Sequence, residues 1–197
     1  MKIALFGGTF DPIHRGHLAV AHAAADAFKL DRIHFVLADT PPHKQAKPIT
    51  LYKHRLAMLE LALEGEDKFQ ASRVEERRTK SRPEANYSID TVRRFKQAMV
   101  KRDKLFFIIG MDSFLQLDKW KEPEALLAEC EFIVVSRPGH KSKEAKPAFT
   151  GKVHLLETVD VDISSTQTRA AVAQGKPLEN LVPGTVAQYI KRHRLYR

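Results

Sequence analysis

The feature that most constrains the fold is the alternation of short apolar runs with segments of helical periodicity. Six apolar runs are typical of strands, at 3–6, 33–37, 69–74, 105–109, 132–135 and 153–156. Segments with apolar residues at helical spacing follow at 17–28, 51–63, 89–101, 123–129, 165–174 and 185–192. Strands that alternate with helices predict an α/β fold with a doubly wound parallel sheet, here closed by two C-terminal helices.

Segments rich in glycine, polar and basic residues follow five of the predicted strands. They lie at 7–17, 39–44, 110–112, 136–139 and 160–169. The carboxyl ends of parallel strands meet at one edge of a sheet, and open α/β sheets bind their ligands there. The sequence therefore predicts one composite site at that edge.

The first of these segments, 7–17, reads GGTFDPIHRGH and lies between a strand and a helix. A helix start offers N–H groups and a partial positive charge to a phosphate, and Gly16 allows close approach between His14 and His17. The segment has neither the Gly-Lys-Ser/Thr of a P-loop nor the Gly-x-Gly-x-x-Gly dinucleotide fingerprint. The two histidines suit phosphate chemistry, although metal ligation or a buried imidazole is the alternative. Asp11 is expected to cap its own turn rather than to complete a metal site.

Length and composition indicate one ordinary globular domain: 197 residues, 43% hydrophobic and 29% charged. The net charge is +9, with eleven Lys or Arg against five Asp or Glu in 73–104 and a further basic run at 191–197. This charge could attract a polyanionic small molecule such as ATP, or it could be a solvated surface. Aromatic residues do not alternate with the basic runs, so a nucleic-acid partner is not expected.

The chain has no signal for a membrane or an oxidising compartment. No apolar run approaches the ~20 residues of a membrane span, and the N-terminus lacks a signal-peptide pattern. Cys130 is the single cysteine, which leaves no disulfide and no cysteine metal site. We expect a cytoplasmic protein, and the sequence leaves a homo-oligomer open.

Two signatures resemble those of the nucleotidyltransferase superfamily that carries a His-x-Gly-His motif. Residues 7–17 match the first, and the segment 163–169, ISSTQTR, matches the second, Ile-Ser-Ser-Thr-x-x-Arg. The resemblance implies a single Rossmann-like domain over residues 1–197. Four further stretches are similar to the bacterial nicotinate-mononucleotide adenylyltransferase branch: PPHK at 41–44, NYSIDT at 86–91, IIGMDS at 108–113 and VSRPG at 135–139. Ser88 stands where that branch often has Thr, and it keeps the hydroxyl.

This resemblance implies adenylyl transfer from ATP to nicotinate mononucleotide, with release of deamido-NAD and pyrophosphate, in NAD biosynthesis. His14, His17 and Arg169 are then the candidate catalytic residues, because they would neutralise charge around the reacting phosphate. The rest of the ATP site would comprise Gly7, Gly8, Thr9, Phe10, Gly110, Asp112, Ser164, Ser165 and Thr166. The acceptor would be held by Lys44, Tyr87, Ser88, Trp120 and Arg137. Mg²⁺ would arrive on the ATP phosphates, with no dedicated protein site.

Plainer roles remain open for several of these residues. Ser164, Asp112 and Ser88 could each cap a helix, and Trp120 could be an ordinary core aromatic rather than a stacking platform for a pyridinium ring. For the chain as a whole, the alternatives are another acceptor (nicotinamide mononucleotide or phosphopantetheine) or a non-catalytic nucleotide- or RNA-binding relative. The intact histidine pair together with Arg169 favours the enzyme.

Overall fold

The computed structural model describes residues 1–39, 49–76, 86–136, 152–157 and 163–197. Its centre is a six-stranded sheet in which every pair of neighbouring strands is parallel. The strands are β1 (Lys2–Gly8), β2 (Arg32–Leu37), β3 (Phe69–Ser72), β4 (Lys104–Gly110), β5 (Glu131–Ser136) and β6 (Val153–Glu157). The order β3-β2-β1-β4-β5-β6 reverses direction between β1 and β4, which opens a crevice at their carboxyl ends. The predicted doubly wound parallel sheet is confirmed.

Seven α-helices and one 3₁₀ helix pack around this sheet within the described ranges. The α-helices are α1 (Arg15–Phe28), α2 (Tyr52–Leu63), α3 (Ser88–Lys96), α4 (Met111–Phe114), α5 (Pro123–Glu129), α6 (Ser165–Ala173) and α7 (Gly184–His193). The 3₁₀ helix spans Leu117–Lys119. Sequence periodicity did not predict α4 and the 3₁₀ helix, because each is about one turn long and too short to establish a period.

The sheet is covered on both faces, and successive residues of β1 show the division. Ala4 and Phe6 belong to a core that also contains residues of α1, α2 and α7. Ile3 and Leu5 belong to the opposite core, with residues of α3, α4 and α5. Side chains of a strand point alternately to the two faces, so both faces of this strand are apolar.

Two predicted elements extend at least two residues beyond the observed ones. The apolar spacing predicted a helix over 89–101, but α3 ends at Lys96 because the following N–H groups of Ala98 and Met99 bond three residues back, to Phe95 and Lys96. These i→i−3 bonds form a 3₁₀-type turn that ends the α-helix before the chain continues to β4. The strand predicted over 69–74 ends at Ser72, since Arg73 opens a turn in which its carbonyl accepts from the N–H of Glu76.

Within the described ranges, no helix has both the length and the apolar character to cross a membrane.

Candidate active site

The loop after β1 is shaped by close contact between a glycine and an aromatic ring. A Cβ on Gly8 would lie 2.7 Å from the Phe10 ring, so a larger residue at position 8 would displace that ring. Phe10 is 2% exposed, has a φ of 43°, and meets the His17 ring edge-on at 5.0 Å between centroids. The side chain of Phe10 therefore supports His17 from below, and only its backbone can face a ligand.

The two histidines of the first signature lie against each other at the start of α1. Their rings stack with centroids 3.6 Å apart and planes 26° apart. The backbone N–H of His14, the N-cap residue, donates to Nδ1 of His17 over 3.2 Å. This arrangement holds both imidazoles at the carboxyl end of β1, as the motif predicted.

His14 is the more buried of the pair. It is 6% exposed, and burial lowers its pKa to about 4, so the ring is neutral near pH 7. A capping box at the start of α1 places the backbone N–H of His17 against the His14 side chain. The His14 ring is therefore held by its own helix as well as by the stacked ring of His17.

Gly16 brings the first signature into contact with the second. A Cβ at this position would lie 3.0 Å from Nδ1 of His14 and 3.4 Å from the carbonyl oxygen of Ile163. The distance to Nδ1 is shorter than an ordinary contact, so a side chain here would press on the His14 ring, whereas the distance to the carbonyl of Ile163 is an ordinary van der Waals contact. The glycine between the two histidines therefore leaves room for the His14 ring.

The second signature opens α6 with a capping box. Ser164 is the N-cap residue: its hydroxyl accepts from the N–H of Gln167 over 3.2 Å, and its own N–H donates to Oε1 of Gln167 over 2.6 Å. The expected N-cap role of Ser164 is confirmed. The hydroxyl of Ser165 donates to the carbonyl of Pro12 over 2.9 Å, which joins α6 to the histidine loop.

Arg169 lies one turn along α6 and reaches the same loop. Its Nη1 donates to the carbonyl of Asp11 over 2.7 Å, and its Nη2 donates to the hydroxyl of Thr166 over 3.3 Å. The guanidinium has five N–H donors in a planar fork, so these two contacts fix its orientation and use only part of its donors. His14, His17 and Arg169 are thereby gathered around one loop.

Asp11 does not behave as the sequence predicted. Within the part of the chain that the structure describes, its carboxylate accepts from the hydroxyl of Tyr196 over 2.8 Å and from the N–H of Thr50 over 3.3 Å. Both donors are remote in sequence, so the expectation that Asp11 caps its own turn was wrong. The side chain instead ties the histidine loop to two distant segments.

The other side of the crevice begins at the end of β4. Gly110 is the N-cap residue of α4, and a Cβ there would meet nothing within 4 Å in the described structure. Asp112 is exposed in the first turn of this four-residue helix. The alternative in which Asp112 caps the helix is therefore wrong. The residue follows directly after the carboxyl end of β4.

Two of the candidate acceptor residues, Tyr87 and Ser88, lie at the start of α3, and a third, Trp120, is next in sequence to a lysine that contacts this start. Tyr87 is the N-cap residue and Ser88 the first helical residue, so the alternative in which Ser88 caps the helix is wrong. Lys121 lies with its ammonium 4.9 Å from the centre of the Tyr87 ring and 3.0 Å from Oδ2 of Asp90. This contact links α3 to the segment that carries Trp120. Trp120 is partly buried and meets Phe107 of β4 edge-on at 6.3 Å.

Lys44 and Arg137 lie outside the described residues, as does the rest of 40–48 and 137–151. Their assignment to the acceptor site stays a prediction.

Sequence reasoning missed Arg55, a buried cation beneath the site. It is 2% exposed and donates to the carbonyls of Thr9 (2.9 Å), Ala38 (2.7 Å), Thr50 (2.8 Å) and Asp39 (3.4 Å). The guanidinium thus joins the ends of β1 and β2 to the start of α2. The sequence offers one indication of this role: Arg55 lies inside the predicted helix 51–63, directly before the apolar residue Leu56.

Glu75 was also missed. It is 9% exposed, accepts a hydrogen bond from the hydroxyl of Thr91 on α3, and burial raises the pKa of its carboxyl to about 7. Its carbonyl accepts from the side-chain amide of Asn86 over 3.4 Å. Glu75 therefore contacts both the residue before α3 and a residue in its first turn, next to Tyr87 and Ser88.

Part of the basic excess in 73–104 is used in ion pairs on the surface. Arg73 pairs with Glu60, and Arg93 pairs with Glu122, each at 2.7 Å. These exposed pairs account for some of the charge without a ligand. Across the described residues, there is no group of three or more His, Cys, Asp or Glu that could hold a metal ion.

Comparison with known proteins identifies the class of this fold and site. The model of the cytidylyltransferase-like family matches residues 5–171, which include both signatures. The chain belongs to the cytidylyltransferase-like family.

Full-length relatives narrow this class. The chain is 41% identical to a Symbiobacterium thermophilum protein named "probable nicotinate-nucleotide adenylyltransferase", over 99% of this chain and 95% of that relative. It is 40% identical to a protein of the same name from Solibacter usitatus, over the whole of both chains. The resemblance to the nicotinate-nucleotide adenylyltransferase branch is confirmed over the full length.

A solved structure shares the fold. The nicotinic acid mononucleotide adenylyltransferase of Plasmodium falciparum, complexed with NaAD, superposes with a TM-score of 0.81 at 21% identity. The superposition covers 99% of this chain and 97% of that one.

Proposed function

We propose that this chain transfers the adenylyl group of ATP to nicotinate mononucleotide, forming nicotinate adenine dinucleotide and pyrophosphate. The observation that carries the proposal is the packing of the stacked pair His14 and His17 against the start of α6. It occurs in a chain whose full-length relatives bear the name of that activity.

The chemistry requires positioning and charge neutralisation rather than a covalent intermediate. An oxygen of the acceptor's phosphate attacks the α-phosphorus of ATP, the bond from that phosphorus to the bridging oxygen breaks, and pyrophosphate leaves with the electron pair. Negative charge builds on the phosphoryl oxygens during this exchange, so preorganised donors lower the barrier. His17, Arg169 and the N–H groups that open α6 would supply those donors.

His14 would act differently from a cation. Because burial keeps its ring neutral at pH 7, it would contribute a hydrogen bond and support for His17 rather than a positive charge. Arg169 would carry the positive charge towards the leaving pyrophosphate, where its planar fork can bind two oxygens. Gly7, Gly8 and Thr9 would let the backbone of the loop approach the phosphates, and the exposed carboxylate of Asp112 would accept from the ribose hydroxyls.

Mg²⁺ would arrive with ATP. It would neutralise charge on the β- and γ-phosphates and keep most of its waters, since that ion dehydrates reluctantly. Because the ATP phosphates and water would hold the ion, we assign no side chain as a metal ligand.

The start of α3 would recognise the nicotinate carboxylate. The carbonyl of Tyr87 already accepts from the N–H groups of Asp90 and Thr91, whereas the N–H groups of Ser88 and Ile89 precede the first intrahelical bond. Donors at the positive end of a helix suit a carboxylate. A nicotinamide NH₂ would face other donors there, which costs about 1–3 kcal/mol. Trp120 would stack on the pyridinium ring, and Lys44 and Arg137 would bind the acceptor's phosphate.

The test is pyrophosphate release from Mg-ATP with three acceptors: nicotinate mononucleotide, nicotinamide mononucleotide and phosphopantetheine. We expect nicotinate mononucleotide to exceed nicotinamide mononucleotide by at least about tenfold in kcat/KM, with no turnover of phosphopantetheine. A preference for either other acceptor would contradict the proposed substrate. Absence of pyrophosphate with all three would favour the non-catalytic relative.

A further inference from the structure

The segment that follows α7 turns back into the molecule. Arg194 and Tyr196 have φ values of 52° and 64°, in the left-handed region that residues other than glycine adopt rarely. The N–H of Leu195 donates to the carbonyl of Ile190 over 3.1 Å, and the side chains of Leu195 and Tyr196 pack against the core formed by α1, α2 and α7. The strained backbone at Arg194 and Tyr196 is therefore part of the turn that brings the Tyr196 side chain inward.

The phenol of Tyr196 ends at the histidine loop. Its hydroxyl donates to Oδ1 of Asp11 over 2.8 Å. Burial raises the pKa of the hydroxyl, so it stays protonated and remains a donor throughout the pH range in which enzymes work. Asp11 is itself only 7% exposed, which makes this a shielded hydrogen bond between a neutral donor and a carboxylate.

Asp11 connects this contact to the candidate catalytic residues. It lies three positions before His14, and its carbonyl accepts from Nη1 of Arg169. The other carboxylate oxygen of Asp11 accepts from the N–H of Thr50. One residue therefore receives donors from the segment after α7, from α6 and from the start of α2. Removing one donor would let the loop shift relative to Arg169.

We propose that Tyr196 is a positioning residue for adenylyl transfer: its hydroxyl holds Asp11, and through Asp11 it sets the loop of His14 and His17 against Arg169. The role rests on the proposed function and adds a residue that neither signature contains. The Tyr196 hydroxyl contacts Asp11 rather than His14, His17 or Arg169 directly, so we expect its effect in the rate of the chemical step rather than in substrate binding.

The first test is Tyr196→Phe, which keeps the buried ring and removes only the hydroxyl. We expect kcat to fall about tenfold or more, because a small misplacement of reacting groups has a large effect on rate, while KM for ATP changes less than about twofold. Thermal unfolding followed by circular dichroism establishes that the variant is folded at the assay temperature. The matched control is Tyr189→Phe, which also removes a part-buried hydroxyl, one that contacts Nδ1 of His54 over 3.0 Å where α7 packs against α2.

A double-mutant cycle with Asp11→Ala then separates positioning from general packing. If the hydroxyl acts through Asp11, Tyr196→Phe has no further effect on kcat in the Asp11→Ala background. A kcat for Tyr196→Phe within about twofold of wild type, an equal loss in Tyr189→Phe, or additive losses in the cycle would each overturn the inference. The comparison is made with whichever acceptor the wild type uses. A change of acceptor would therefore contradict the proposed function alone.

Discussion

At the scale of single residues, His14 and His17 differ more than their shared motif suggests. His14 is buried and neutral, with a pKa near 4, and lies under the ring of its partner. His17 is half-buried and accepts the N–H of His14 at Nδ1, so its ring proton lies on Nε2. A donor at Nε2, supported from below by Phe10, is the arrangement that binding a phosphoryl oxygen requires.

The first prediction follows from this difference. His17→Ala should lower kcat by roughly 10²–10⁴ with a smaller change in KM for ATP, because the donor matters most when charge builds on the phosphorus. Steady-state kinetics with nicotinate mononucleotide and Mg-ATP measure both. His22→Ala is the matched control, since His22 lies on the same helix with its side chain 54% exposed. A His17→Ala enzyme within threefold of wild type would contradict the mechanism.

At the scale of helices and strands, local periodicity predicted most of the fold. The helix predicted over 123–129 coincides with α5, and the strand predicted over 33–37 differs from β2 by one residue. The errors fall where tertiary packing decides the end, as in α3, whose apolar spacing continues to Met99 although the helix has already tightened into a turn. Periodicity reports which face is buried, and it does not report where the chain must leave for the next strand.

The second prediction concerns Arg55, the buried arginine of α2. Arg55 uses all three of its side-chain nitrogens: Nη1 donates to the carbonyls of Thr9 and Ala38, and Nε and Nη2 donate to those of Thr50 and Asp39, a spread of donors that a single lysine ammonium cannot supply. Arg55→Lys should therefore lower the free energy of unfolding by about 1–3 kcal/mol, measured by urea denaturation. Arg73→Lys tests the same substitution on the surface, where the residue pairs with Glu60, and should leave the denaturation midpoint unchanged. Equal effects of the two substitutions would show that the interior contacts add nothing.

At the scale of the whole molecule, two buried groups give opposite pH dependences of stability. The pKa of His14 is 6.5 in the unfolded chain and about 4 in the folded chain. Between these two pH values the unfolded chain binds the extra proton, so this residue makes the free energy of unfolding rise with pH. The pKa of Glu75 is 4.5 in the unfolded chain and about 7 in the folded chain. Between these two pH values the folded chain binds the extra proton, so this residue makes the free energy of unfolding fall as pH rises. Between about pH 4.5 and 6.5 the two effects oppose each other.

The third prediction concerns a variant in which position 75 can no longer titrate. Glu75→Gln keeps an oxygen for the hydroxyl of Thr91 but cannot ionise, so its unfolding free energy should rise more steeply with pH than that of wild type. The difference in slope is at most about 1.4 kcal/mol per pH unit, the value for one proton. Urea denaturation at several pH values between 4.5 and 7 measures it, and the exposed carboxylate Glu124→Gln should follow the wild type. Parallel curves for Glu75→Gln and wild type would disprove the assignment.

The sequence predicted the meeting of the two signatures, because both follow strands and therefore lie at one edge of the sheet. It could not predict what holds them together. The hydrogen bond between Tyr196 and Asp11 joins residues 185 positions apart, and no motif or period relates them. Such contacts depend on how α7 crosses the other helices, and packing alone decides that.

The contact between Gly16 and Ile163 also has a consequence for synthesis. The ribosome makes a chain from its amino end, so the histidine loop emerges long before the residues that complete its surroundings. While residue 163 and those after it are still being added, the space beside Gly16 has no α6 to fill it, and Asp11 has neither Arg169 nor Tyr196 as a partner. A nascent chain can form β1 to β5 and still lack a working centre. Activity therefore begins only after residues 163–196 have been made and have met the histidine loop.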